Sequence, residues 1–280
     1  MRLLDYVQRY ALSRDVSADY IDQLACCVRA LERTLGQPVQ VDQLSPDLVN
    51  QFLHQQKAAG LCCTTRKNRR RMLLTLWRSA ALAGLVAPPG LVPIAPVRQC
   101  DHLVASWSAD QVRQLLATAD GLEGVIRKLD IPKAHYWGSY VPAGWDTGLR
   151  GCDVRRFERP HIGPDGTVRL VQVKTGRSKR VKLRPSTVDR IDQSLAACPR
   201  QLIWPLWADV DQWRKQARKL VDRAGLPGSI GRLRHSSGTE VELAHPGRGH
   251  EHLGNTRAVF LLHYFDDSRA VYDRPMPQEL

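Results

Sequence analysis

The sequence predicts a mainly α-helical protein with one small antiparallel β-sheet. Three observations carry this. Apolar residues recur at helical spacing through residues 1–83, a proline- and glycine-rich stretch follows, and the pattern shortens to a period of two between 153 and 183. The expected organisation is a helical domain at 1–84, a linker at 85–106 and a second domain at 107–280.

The elements can be justified in order. Leu3, Leu4, Val7, Tyr10 and Ala11 mark a first helix. Ser17 is placed to cap a second, which carries Ile21, Leu24, Cys27, Val28 and Leu31 until Gly36 and Pro38 break it. Ser45-Pro46-Asp47 is a cap with proline at the first helical position, and Leu48, Val49 and Phe52 follow. Thr64 or Thr65 opens a fourth helix, in which Arg66, Lys67, Arg69, Arg70 and Arg71 precede an apolar stripe of Leu73, Leu76, Trp77 and Ala80. Cations at a helix N-terminus oppose its dipole, so their clustering there is unfavourable unless an anion lies nearby.

After the linker, Ser108 restarts helix with Val112, Leu115 and Leu116, and 121–149 reads as mostly helical with an aromatic run at His135, Tyr136, Trp137 and Tyr140. Val168, Leu170 and Val173, then Val181 and Leu183, alternate around turns at Pro164-Asp165-Gly166 and Thr175-Gly176-Arg177 and predict the sheet. Helices resume from Pro185, at 209–225 and near 234–242. Residues 243–252 read as a loop and 253–267 as a last helix.

The 280 residues are 43% hydrophobic and 25% charged, enough apolar content for a packed core. A formal net charge of +13 favours a polyanionic partner, because binding releases condensed counterions; nucleic acid comes first and an anionic membrane surface second. The seven cysteines form no CxxC pair, which argues against a zinc ribbon, and they are expected as free thiols in a reducing compartment. No secretory signal and no bilayer-crossing stretch is read, so a cytoplasmic, nucleoid-associated protein is expected.

Four local patterns occur in order in the second domain. They are Thr147-Gly148-Leu149-Arg150 with Asp153; Lys174-Thr175-Gly176 continuing to Arg180-Val181-Lys182-Leu183; Leu233-Arg234-His235-Ser236-Ser237-Gly238-Thr239; and Leu253-Gly254-Asn255 with Tyr264 nine residues on. Together they resemble the boxes of the tyrosine recombinase, or phage integrase, family. The helices and basic segment of the first domain are similar to that family's core-binding domain. The resemblance implies a tyrosine-recombinase-like catalytic domain behind a core-binding domain, acting on double-stranded DNA with further copies of itself, and no cofactor. It implies Tyr264 as nucleophile, Arg150 and Arg234 as the pair that holds the transferred phosphate, and Lys174 as the acid for the leaving oxygen. Asn255 takes the place of a family histidine, and His235 matches the histidine that follows the second arginine. Arg66, Lys67, Arg69, Arg70, Arg71, Arg177, Lys179 and Arg180 are the expected DNA contacts.

Two positions depart from the family. The histidine expected three residues before Arg234 is Gly231, and the one expected after Leu253-Gly254 is Asn255. Glycine moves no proton through a side chain; asparagine can donate a hydrogen bond but is no base. Arg232, His235 or one of His245, His250 and His252 are the nearby substitutes. Three functions therefore stay open: strand cleavage and rejoining by a recombinase or integrase, DNA binding by a chain that kept the fold and lost the chemistry, or relaxation by a topoisomerase of the same chemistry. No metal site is expected, since Glu251 alone joins the loop histidines.

Overall fold

The computed structural model describes residues 1–90, 93–98, 104–206 and 209–270. The chain divides into two compact units, Met1–His102 and Leu103–Leu280. The first contains α1 (Leu3–Leu12), α2 (Ala18–Leu35), α3 (Pro46–Ala58) and α4 (Cys63–Leu82). Their apolar stripes meet in a core of Leu3, Val7, Leu24, Leu31, Phe52, Leu73, Leu76 and Trp77. The Ser17 and Ser45 hydroxyls accept from Tyr20 N and Leu48 N, so both sequence-read caps form. α4 starts earlier than expected, with Cys62 at its N-cap, and no acidic side chain offsets the dipole in its first turn.

Part of the expected linker is packed rather than free. Leu85, Val86, Ile94 and Val97 lie against the first core, and Trp77 Nε1 donates to Ala87 O at 2.8 Å. Arg70 donates to the Ala95 and Ile94 carbonyls, both at 3.1 Å. The thiols of Cys26, Cys27, Cys62, Cys152 and Cys198 are free, but Cys63 is disulfide-bonded, so the expectation of free thiols fails there; Cys100 lies outside the described residues. Local spacing carries no information on a pairing that tertiary proximity creates.

The second unit contains α5 (Ala109–Asp120), a two-residue hairpin of β1 (Val125–Ile126) and β2 (Ile131–Pro132), α6 (Lys133–Thr147), α7 (Gly151–Val154), β3 (Thr167–Val171), β4 (Ser178–Lys182), α8 (Pro185–Ala197), α9 (Val210–Arg223), α10 (Arg232–Ala244), α11 (Gly249–Leu253) and α12 (Arg257–His263). The hairpin β1–β2 replaces part of the helix expected over 121–149. α6 is buried along most of its length, with α5, α8 and α10 packed on it. Its aromatic run joins Trp204 and Trp213 in the core; Trp213 Nε1 donates to Tyr136 Oη at 3.0 Å and Trp204 Nε1 to Ser139 Oγ at 2.9 Å.

β3 and β4 pair antiparallel, with Val168 opposite Val181 and Leu170 opposite Lys179. Val168 and Val181 are buried, so the period of two turns Leu170 and Lys179 to the inner face as well, while Arg169 and Arg180 are exposed. The segment expected as a loop, 243–252, holds the end of α10 and most of α11. Glu242 accounts for this: its carboxylate accepts from Gly247 N and Gly249 N, both at 2.8 Å, and closes the turn between the helices. Among the described residues no helix is long and apolar enough to cross a membrane.

Candidate active site

α6 ends at Gly148, which takes the left-handed conformation at φ 56°; a Cβ there would lie 2.7 Å from His252 Nε2 and from Leu253 Cδ2. Glycine thus lets the chain turn while the 252–253 segment packs directly on it. Arg150 follows as the N-cap of α7, its carbonyl accepting from Asp153 N and Val154 N. Asp153 is buried, and its Oδ1 accepts from Val173 N at 2.9 Å, which ties the first arginine box to the turn of the β3–β4 hairpin.

Arg234 lies in the first turn of α10 and is only 5% exposed. Nη1 donates to Gly148 O at 2.6 Å, and Nη2 donates to Leu253 O at 3.0 Å and Asn255 Oδ1 at 3.3 Å. One guanidinium therefore binds two of the sequence boxes together. Its fixed, planar donors suit such a junction.

Tyr264 is placed by α12. Thr256 caps that helix, and Phe260, fully buried, fits a socket beside Gly238 and Gly249. Tyr264 N and Phe265 N both donate to Phe260 O, which stops the helix short of the expected 267. Beyond it Asp266 Oδ2 accepts from Ser106 N at 2.6 Å and Ser106 Oγ at 2.9 Å; Arg269 donates to Trp107 O and Glu240. The chain is thus pinned just past the tyrosine. The Tyr264 ring lies over the Arg234 guanidinium, 4.8 Å from ring centre to Cζ, and 4.9 Å from the His235 ring.

The electrostatics of this cluster are one-sided. Burial pushes the Tyr264 phenol up, yet Arg234 and Arg150 outweigh it and hold its pKa below the usual value. His235 is brought down to about 4 by burial and by Arg234, Arg232 and His263; His252 is brought down to about 4 by burial, Lys179 and Arg234. Arg150 Nη1, Arg234 Nε and Asn255 Nδ2 are buried without a hydrogen-bond partner, as is Gln172 Nε2 of the hairpin, and Asp153 Oδ2 is a buried acceptor without one. Unpaired buried donors are rare, and Arg150 and Arg234, which carry two of these, lie beside the Tyr264 phenol. Among the described residues no group of three or more His, Cys, Asp and Glu side chains is arranged to hold a metal ion.

The structure thus brings Arg150, Arg234, Asn255, His235 and Tyr264 together. It does not bring Lys174, which is exposed on the hairpin turn. Lys179 points inward instead: its ammonium donates to His252 O, and burial with Arg234 and Arg150 lowers its pKa to about 7. The alternation around Val181 was the sequence signal for this. Arg177 and Arg180 are exposed on the hairpin. On α4, Arg66 Nε donates to Leu61 O and Arg70 holds the 94–95 carbonyls, so both also have structural work; Lys67, Arg69 and Arg71 complete the basic run. Of the other histidines considered as substitutes, His252 Nε2 lies 2.7 Å from Ser237 Oγ, and His250 Nδ1 is buried without a partner.

The chain has the fold of the tyrosine recombinases. It is similar over 99% of its length to all of lambda integrase residues 75–356, solved as a dimer bound to a COC′ core site, with 17% identity and a TM-score of 0.75. XerH site-specific recombinase, in a post-cleavage complex with palindromic difH, matches 91% of this chain over 79% of its own, at 17% identity and a TM-score of 0.71. The Tn1549 transposon integrase with circular intermediate DNA matches 98% of this chain over 97% of its own, at 14% identity and 0.69. No family model and no curated protein sequence matches the chain. The likeness is therefore one of backbone architecture, and function has to be argued from the side chains of the site.

Proposed function

We propose that this protein cuts and rejoins double-stranded DNA at specific sites, as a recombinase or integrase, through a 3′-phosphotyrosyl intermediate. The observation that carries the reading is that Arg150 and Arg234, each with a buried donor left unpaired, lie beside the Tyr264 phenol, with a further unpaired donor, Asn255 Nδ2, on the residue that Arg234 holds. A phosphodiester supplies the missing acceptors. As Tyr264 attacks phosphorus in line, charge grows on the equatorial oxygens, and preorganised donors stabilise it more than the ground state. A lysine of the β3–β4 hairpin, Lys174 by its sequence box, gives the leaving 5′-oxygen its proton. The phosphotyrosyl bond keeps the energy of the broken linkage, so attack by another 5′-hydroxyl reseals the strand without a cofactor.

In this reading the first unit is the core-binding domain, and Arg66, Lys67, Arg69, Arg70 and Arg71 of α4, with Arg177, Lys179 and Arg180 of the hairpin, contact phosphates. The net charge of +13 supports binding to a duplex and a place with the nucleoid. Lambda integrase is described on DNA as a dimer and, on a Holliday junction, as a tetramer, which supports assembly of several copies of this chain on its site.

Gly231 favours a second reading, a DNA-binding protein that does not cut. The two separate in a denaturing capture experiment. Protein is incubated with sheared DNA from its source and boiled in detergent, and the attached DNA is sequenced, with Tyr264→Phe alongside. We expect an adduct with the unaltered protein and none with the variant. Tight, salt-sensitive binding to a cleavable site without any adduct would establish the second reading instead.

A further inference from the structure

A cavity of about 530 Å³ lies beside α7 and α9, and its lining selects an occupant. Leu149, Ala217 and Leu233 give it an apolar wall. Its charged groups are all of one sign, Arg155, Arg214, Arg218 and Arg234, and among the described residues no acidic side chain lines it. Arg214 and Arg218 are paired with Asp211 and Asp222 of their own helix. Arg155 has no ion pair among the described residues; its guanidinium lies over the Trp213 ring, 4.5 Å from Cζ to the ring centre. Tyr140 is 3% exposed, and among the described residues its hydroxyl has no hydrogen-bond partner. Buried hydroxyls are nearly always bonded, so this one is an exception to be explained. Hydroxyl and guanidinium flank one point: from where a Cβ on Gly151 would stand, Tyr140 Oη is 3.1 Å away, Arg155 Nη1 3.7 Å and Trp213 Cη2 4.0 Å. Glycine at 151 keeps that point clear.

We infer that this cavity binds a small organic carboxylate with an apolar body. A carboxylate is planar and offers two acceptor oxygens. One takes the Tyr140 hydroxyl, and the other takes the edge of the Arg155 guanidinium, whose plane is held by its stacking on Trp213. Burial raises the pKa of the Tyr140 phenol, so the hydroxyl keeps the proton that it donates. The body of the ligand covers Leu149, Ala217 and Leu233 and removes their apolar surface from water. The volume suits a ligand of ordinary small-molecule size. A neutral molecule leaves the arginine without a counter-charge, and inorganic phosphate leaves the apolar wall uncovered. Gly231 and Arg234 line the same cavity, so its occupant abuts the arginine assigned above to the scissile phosphate.

The test is a calorimetric titration of the whole protein without DNA, so its result does not depend on whether the chain cuts. The probes are cinnamate, its neutral counterpart cinnamamide, acetate and inorganic phosphate. We expect cinnamate to bind saturably, one molecule per chain. Cinnamamide, acetate and phosphate should each bind at least about tenfold more weakly, because each lacks either the charge or the apolar body. Tyr140→Phe removes a hydroxyl that has no protein partner to lose, so the melting temperature should hold while cinnamate affinity falls about ten- to a hundredfold. Arg155→Met keeps the length of the side chain and removes its charge; it should weaken cinnamate binding and leave that of cinnamamide unchanged. Equal binding of cinnamate and cinnamamide, phosphate binding as tight as that of cinnamate, no saturable binding at millimolar cinnamate, or full affinity in folded Tyr140→Phe would each overturn the inference.

Discussion

Gly231 has ordinary helical dihedrals, φ −61° and ψ −20°, and a Cβ added there meets only Ser229 Oγ, at 3.6 Å. Neither backbone conformation nor lack of space requires glycine at this position. It lines a cavity of about 530 Å³ whose walls include Arg234, Leu149, Tyr140 and Trp213. An imidazole fits, beside the arginine that holds the loop of Asn255. Gly231→His is therefore expected to fold normally and to raise adduct formation by up to about 10²-fold, the lower range of general acid–base contributions. Imidazole added to the unaltered protein should give part of that gain and none in the variant. An unchanged rate in both cases would show that no proton is moved from this place. The arginines and the tyrosine were legible in sequence because each lies inside a box of local residues. The inward turn of Lys179 was legible only as the alternation around Val181; that this face of β4 meets His252 was not.

At the scale of elements, the tyrosine's position depends on the fit of α12 against α10 and α11. A Cβ on Gly249 would lie 2.4 Å from Phe260 Cζ and 2.8 Å from Gly238 O, so Gly249→Ala must push Phe260 out of its socket. Overpacking of this kind costs about 1–3 kcal/mol. We expect a lower melting temperature and, at temperatures where the variant is folded, slower adduct formation with little change in DNA affinity. If affinity and cleavage fell in proportion, the socket would be holding the fold and not specifically the tyrosine. The sequence ran this helix from 253 to 267; it starts instead at Arg257, where Thr256 caps it, and ends before Tyr264. Its end is set by the two amides that share Phe260 O and by the Ser106 contacts of Asp266, the latter made across the second unit.

At the scale of the whole molecule, the two units have separate cores and are expected to respond differently to acid. His235 and His252 belong to the second unit, and both are brought from the ordinary 6.5 to about 4, chiefly by burial. The unfolded chain takes up these protons below about 6.5 while the folded unit resists them. Stability that is complete above 6.5 is thus lost as pH falls toward 4, at about 1.4 kcal/mol per histidine for each pH unit. In the first unit the hydrogen bonds of the Arg2 fork, outweighing burial, hold Glu32 below its ordinary 4.5, so that contribution persists until pH falls below 4.5. Calorimetry at pH 7 and pH 5 should show the second unit's transition moving down and the first unit's staying in place, with His235→Phe reducing the movement. Equal movement of both transitions would contradict the assignment of buried neutral histidines.

The sequence by itself determined the helical character of both units, the two serine caps of the first, the β3–β4 hairpin and the order of the boxes that hold Arg150, Arg234, Asn255 and Tyr264. These are properties of neighbouring residues: apolar period, capping chemistry and turn composition act within a few positions. Only the tertiary structure decided that Arg234 bridges Gly148, Leu253 and Asn255, that Arg150 and Arg234 keep unpaired donors beside Tyr264, that Lys179 meets the His252 carbonyl, and that Cys63 is disulfide-bonded. Each of these joins residues distant in the chain, and a local pattern carries no information about which far segment packs against it. Burial then converts that packing into chemistry, because a charge or donor removed from water acts on its neighbours with little screening.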